Sequence, residues 1–229
     1  MSTRTVVITT DSHVGRPEID FTEYFDPEYR EQYKEQRSTA LQMMEAFTTG
    51  DSNPLMMSMG GGTFMDHAAV AVQQELRRAK LEELGIDGFK DGEFMMIAGD
   101  SDPDTRLKEL EADGTAGAIL FPQGSAFGFF GRPPDDEFYW NGVRAHNRWL
   151  ADFVSGTPER WAATIQIDFA DIDRSIEEVR WSREHGLRGG AFWSGNSPDG
   201  LPRYHDPYYE PFWAALEDLD VPFVMHAAF

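Results

Sequence analysis

An α/β fold, a parallel sheet with helices covering it, is what this sequence predicts, and three observations carry the prediction. Five short runs rich in β-branched or apolar residues read as buried strands, and helical patterns with recognisable caps separate them. The composition can furnish a core: 41% of the 229 residues are hydrophobic, with 17 Phe, 6 Trp and 7 Tyr, which excludes a disordered chain. The length suits one large domain or two small ones.

The first strand, residues 5–11 (TVVITTD), runs into the triplet Asp11-Ser12-His13. Residues 21–99 then form the one long interval between predicted strands, with helical patterns at 27–47 and 63–84 and a Gly/Met-rich stretch at 55–65. An interval of that length predicts a helical insertion or lid on the first βα connection. Gly60-Gly61-Gly62 follows no predicted strand and lacks the GxGxxG and GxxxxGK(S/T) patterns, so it is not read as a phosphate loop.

Asp102-Pro103 is an N-cap with proline at the first helical position. Leu107 and Leu110 share a face and Gly114 stops the segment, which predicts a helix over 103–112. The second strand is 116–121 (AGAILF). A longer helix, 136–154, carries the stripe Phe138, Trp149, Leu150, Phe153 and Val154, and is stopped by Gly156 and Pro158. The third strand is 161–167 (WAATIQI), after which Asp171 caps a helix with Ile172, Ile176 and Val179 at helical spacing and Gly186 at its end. The fourth strand is 187–193 (LRGGAFW). Asp206-Pro207 opens the last helix, with Trp213, Leu216 and Leu219 facing inward, and 222–227 (PFVMHA) is the fifth strand. Short apolar strands alternating with helices of this length argue for parallel pairing.

Charge and cysteine content narrow the function classes. A formal charge of -20, from 40 Asp+Glu against 20 Lys+Arg, opposes binding to nucleic acid or to anionic membrane surfaces. With no Cys there is no disulfide framework, thiolate zinc site, iron–sulfur cluster or Cys nucleophile, so any metal must be held by His and carboxylates. The N-terminus lacks the apolar core of a signal peptide and no stretch reaches the length of a membrane span, so a cytoplasmic location is the default expectation.

Asp11 and His13 stand two residues apart at the end of the first strand, where i and i+2 side chains share a face. His226 stands at the C-terminal end of the fifth strand, and ligands collect at that end of parallel α/β sheets. A carboxylate oxygen with imidazole nitrogens suits zinc, manganese or iron without thiolate. Taken singly, Asp11-x-His13 reads equally as a turn aspartate beside a half-exposed histidine, and His226 as a core histidine. Both standing at strand ends favours a shared site. His67 and His146 fall within helical patterns, where packing or exposure accounts for them.

Several segments resemble a known family. TTDSHVGRPE resembles the opening of the amidohydrolase-related family of metal-dependent TIM barrels, in the branch of aminocarboxymuconate-semialdehyde and resorcylate-type decarboxylases. AILFPQG resembles its second strand, and the series HNRWLADF, HGLRGG and DPYYEPFWAALE resembles its following αβ units. The resemblance covers residues 4–20 and 101–229. It implies a (β/α)8 barrel of which this chain holds the first five strands, as one domain over 1–229 with a helical insertion at about 21–99. It also implies metal ligation by Asp11, His13 and His226. The family's later histidine and aspartate, after its sixth and eighth strands, have no counterpart here.

The resemblance further implies a divalent metal, zinc first with manganese or iron as alternatives, and a small carboxylic or aromatic substrate that is hydrolysed or non-oxidatively decarboxylated. Gln123 and Trp193, at the ends of the second and fourth strands with Phe121 and Phe192, are candidate substrate-binding residues. Phe192 and Trp193 read equally as barrel core or interface. No residue is assigned as the catalytic acid or base. Two other readings keep the fold: a dinuclear iron or manganese oxygenase, and a non-catalytic subunit of a heteromeric complex. A homo-oligomer, or a partner chain completing the barrel, is the expected assembly.

Overall fold

Local capping signals settle the helices. A computed structural model describes residues 5–15, 19–49, 79, 82–83, 98–122, 136–193 and 200–226. Helix α1 (Arg30–Thr49) follows two short 3-10 turns, Thr22–Tyr24 and Pro27–Tyr29. Helix α2 (Pro103–Ala112) begins where the Asp102 carboxylate accepts the Thr105 N–H at 2.7 Å. Helix α3 (Asp136–Ser155) buries Phe138, Leu150, Phe153 and Val154. Asp171 accepts the Arg174 N–H at 3.1 Å to start α4 (Ile172–Glu184). The Asp206 carboxylate caps a 3-10 turn, Pro207–Tyr209, that leads into α5 (Glu210–Asp218).

All described strand pairs are parallel. Strands β1 (Val7–Val14), β2 (Thr115–Pro122) and β3 (Trp161–Ala163) form one sheet in that order. Strands β4 (Ile165–Gln166), β5 (Ala191–Trp193) and β6 (Phe223–Met225) form the second. The third expected strand, 161–167, is thus divided at Thr164. There the amide and the hydroxyl both donate to the Leu120 carbonyl, at 3.0 and 2.9 Å. One residue later the Ile165 N–H donates to Gly190 O at 2.7 Å, so the chain leaves β2 for β5. One segment therefore belongs to both sheets, and five parallel segments lie side by side.

The fourth expected strand begins at Ala191, not Leu187, and the diglycine before it supplies the reason. A methyl group at Gly189 would lie 2.2 Å from Ala162 O, and Gly190 has φ +102 with Pro222 O at 2.5 Å from where a Cβ would sit. Backbones approach here more closely than side chains allow, so pairing becomes regular only beyond the glycines.

Two aromatic regions fill the core. Phe169, fully buried, has the rings of Trp193, Tyr204, Tyr209, Phe212, Trp213 and Phe223 at 5.0–5.9 Å. On the other side Phe25 stacks on Tyr33 at 4.3 Å and on Phe138 at 5.7 Å, fastening the start of the 21–99 interval to α3. Asp26 adds to that attachment, accepting from Arg148 at 2.8 Å and from Asn141.

Asn147 of α3 is fully buried and acts as a clamp. It accepts the Gln166 N–H and donates to Gln166 O, both at 2.9 Å, and also donates to Glu178 of α4 at 2.9 Å. The expected helix at 27–47 corresponds to the second 3-10 turn and α1. The 63–84 helix, apart from helical residues at 79 and 82–83, lies outside the described residues, as do the 55–65 stretch, Gly60–Gly62 and His67. Among the described residues no helix is long and apolar enough to cross a membrane.

Candidate metal centre

Strand β1 does not run regularly through the Asp-Ser-His triplet. Its register advances from Thr9↔Ala118 to Ser12↔Leu120, three residues against two, which makes a β-bulge at Thr10–Asp11. Bulges bend a strand and re-aim its side chains, and they occur often beside active sites. Here Asp11 and His13 still reach the same point, while Ser12 between them is turned inward and buried.

The point of convergence is closed by β6. Asp11 Oδ1 lies 3.1 Å from His13 Nε2 and 3.0 Å from His226 Nε2, and the two Nε2 atoms are 3.1 Å apart. His13 Nδ1 lies 3.2 Å from the Pro122 carbonyl. That carbonyl can only accept, so Nδ1 carries the proton and Nε2 presents its lone pair to the cluster.

With an ionised carboxylate, hydrogen bonds alone do not satisfy this triangle. If both imidazoles donate to the carboxylate, two N–H groups oppose each other. If one imidazole donates to the other, the second nitrogen's remaining contact sets lone pair against lone pair. A cation at the centre satisfies all three atoms together. Donors about 2.0–2.2 Å from a tetrahedral ion lie about 3.3–3.6 Å apart, a few tenths of an ångström wider than the spacings here. Among the described residues this is the one group of three metal-capable side chains. The residues present therefore fit a divalent ion.

Asp11 is the most exposed member at 68%, against 36% for His13 and 25% for His226, so the cluster opens toward solvent on the carboxylate side. Its other side is aromatic. The Phe121 ring meets His226 edge-on at 4.6 Å and lies 5.9 Å from His13 and 5.7 Å from Phe192. Trp193, one residue on, has its described ring contact with Phe169 at 5.2 Å, on the core side. Gln123 lies outside the described residues.

Sequence reasoning overlooked Arg106. Read along α2, Arg106 and Glu109 look like an ordinary i,i+3 surface pair, yet both are buried with Asp100. The one clue was their place beside Leu110 on the same helical face.

Nearby, His146 of α3 is 2% exposed, beside Phe21 and Trp149, and neither ring nitrogen has a hydrogen-bond partner among the described residues. Burial pushes its pKa down from 6.5 to about 4. The unfolded chain thus takes up this proton near pH 6.5, while the folded chain resists until about pH 4. Stability from this group is intact above pH 6.5 and declines as the pH falls toward 4, by about 3 kcal/mol in full and about 2 kcal/mol by pH 5. A His146→Phe variant is expected to lose correspondingly less stability between pH 7 and pH 5 than wild type in urea titrations. Parallel pH profiles for the two proteins would contradict a buried neutral His146.

Comparisons with known proteins identify the family and the fold. The amidohydrolase family matches residues 101–229. The gamma-resorcylate decarboxylase of Rhizobium sp. (strain MTP-10005) is 35% identical over 128 residues, 54% of this chain and 38% of that enzyme. The match thus spans well under half the length of that curated relative. Among solved structures, an amidohydrolase from Mycobacterium avium subsp. paratuberculosis K-10 aligns with a TM-score of 0.59 at 19% identity, covering 99% of this chain and 60% of its own. A 5-carboxyvanillate decarboxylase from Novosphingobium aromaticivorans DSM 12444, solved with bound manganese and 3-methoxy-4-hydroxy-5-nitrobenzoic acid, aligns with a TM-score of 0.52 at 20% identity. It covers 96% of this chain and 50% of its own. These structural likenesses speak to the fold, which is of the TIM-barrel type.

Proposed function

The chain belongs to the amidohydrolase family, and from that premise we propose that it carries the metal-holding part of a non-oxidative carboxy-lyase for a small hydroxylated aromatic acid. The observation that carries the reading is the convergence of Asp11, His13 and His226, whose donor atoms lie within 4.8 Å of one another. The 35% identical stretch of a gamma-resorcylate decarboxylase favours decarboxylation over hydrolysis.

In this reading Asp11, His13 and His226 hold one divalent ion, zinc or manganese. A bound ion of this kind supplies Lewis acidity and a fixed positive charge for a carboxylate and an adjacent oxygen. The chain's own groups do the positioning. Pro122 O fixes the His13 tautomer, and Phe121, braced by Phe192, offers an aromatic face against which a flat ring can lie beside the donor cluster. Gln123, two residues after Phe121 in the chain, is a further substrate-side candidate, and Trp193 is kept as a second although its described ring contact is with Phe169.

We read the five parallel segments as the first five strands of an eight-stranded barrel in one domain with a helical insertion at about 21–99. Val6, Val7 and Ile8 are 70%, 48% and 59% exposed and Met225 is 56% exposed, at the two edges of the described sheets. Apolar edges of this kind favour pairing with further strands.

The test is elemental analysis of the purified protein together with assays for CO2 release from ortho-hydroxylated benzoates. The expected result is one divalent ion per chain and release that a chelator abolishes and zinc or manganese restores. A metal-loaded protein that releases no CO2 from any of these acids would end the decarboxylase reading, and a protein that takes up no ion would end the metal reading.

A further inference from the structure

The metal-facing triplet is held from behind by a buried network, and we propose that Arg106 is its positioning residue: it fixes the bulged segment of β1 so that Asp11 and His13 converge on one point. This rests on the metal reading above.

Arg106 lies in α2, 93 residues from His13 in sequence, with its side chain 6% exposed. One terminal nitrogen donates to the Ser12 hydroxyl and, at 3.2 Å, to the His13 carbonyl. The other faces two carboxylates, Asp100 Oδ1 and Glu109 Oε2, each at 3.4 Å. Glu109 in turn accepts the Gly99 N–H at 3.2 Å, and the Asp100 carbonyl accepts the Gly15 N–H at 2.9 Å. The strand end from Ser12 to Gly15 is thus bonded at three places to the segment formed by residues 98–100 and α2.

The contacts fall on the face opposite the donor cluster. Ser12, the residue between the two ligands, spends its side chain on Arg106, which commits Asp11 and His13 to the other side. The fork geometry matters, because a guanidinium holds acceptors on two nitrogens in fixed directions while an ammonium is a point charge. Packing around the network is tight. A Cβ on Gly99 would lie 2.5 Å from Glu109 Oε2 and 2.7 Å from the Arg106 backbone, so the segment cannot slide to compensate for a changed side chain.

The experiment is Co2+ titration of wild type, Arg106→Lys and Ser12→Ala, followed by the visible absorption of the bound ion and by competition with a chelator. The thermal midpoint of each metal-free protein is measured in parallel. Ser12→Ala removes one of the two strand-side acceptors, leaves the His13 carbonyl and keeps the buried charges paired, so it carries the test even if Arg106→Lys fails to fold. The expected result is Co2+ affinity weaker by about 10–100-fold, the usual range for residues that orient a ligand, with an altered absorption spectrum in samples held well below their midpoints. A purely structural role would lower the metal-free midpoint and leave affinity and spectrum unchanged, and that outcome overturns the proposal while sparing the metal reading. Wild type that takes up no Co2+ overturns both.

Discussion

Replacing His226 by alanine is expected to lower the affinity for zinc or manganese by more than about 100-fold, beyond the loss that changes in outer-shell residues cause. His226 is the one donor brought from the far side of the described sheets, and without it the ion keeps only Asp11 and His13, neighbours on one bulged strand. The fold should survive. The side chain lies just past the end of β6, one quarter exposed, and the described packing it loses is the edge-on contact with Phe121 and the ring contact with His13. An aromatic contact of this type contributes about 0.5–1.5 kcal/mol. His13→Ala should lose the ion equally and cost somewhat more stability, because its ring also bonds to Pro122 O across β1 and β2. Elemental analysis after dialysis, with circular dichroism to confirm folding, checks both variants. Unchanged metal content in both would remove these residues from the site.

The largest expected loss of stability comes from Asn147→Leu. The substitution keeps the branched shape and the number of side-chain heavy atoms, so its effect reads chiefly on the polar groups. It strands the Gln166 N–H and C=O, which have both bonds to this side chain, and it takes from Glu178 a donor at 2.9 Å. Glu178 is already pushed up in pKa by burial, with the Asn147 hydrogen bond drawing it back down. Each buried group left without a partner costs about 1–3 kcal/mol, so a loss of about 3–5 kcal/mol is expected in urea unfolding. The remedy follows from the cause: adding Glu178→Gln should recover part of the loss, since it removes the buried carboxylate. A single variant within 1 kcal/mol of wild type, an order-of-magnitude threshold set by one ordinary hydrogen bond, would show that the clamp contributes little.

Much of the architecture was legible in the sequence because its signals are local. Asp102-Pro103 and Asp171 announce their helices through a side chain bonding to an amide three residues on, and the structure starts both helices there. The split at Thr164 and the late start of β5 were not legible. They depend on Leu120, Pro222 and Ala162 approaching from distant parts of the chain, and the Gly189-Gly190 pair alone did not say which backbone it was making room for. The site divided in the same way. Asp11, His13 and His226 could be named from strand ends and from the family resemblance, and the structure brings the three together. Arg106 and Asn147 carried no such mark, because a charged or amide side chain looks solvent-exposed until the partners that bury it are known.

The three donor atoms come from opposite ends of the described chain: Asp11 and His226 are 215 residues apart. At about 5–20 residues per second of synthesis, the Asp-Ser-His triplet leaves the ribosome roughly 10–40 s before His226 exists. During that interval a nascent chain presents only an open carboxylate–imidazole pair. In the proposed site, selective capture of an ion would have to wait for β6 to be made and to dock, so that metal loading would report that the described strands have assembled.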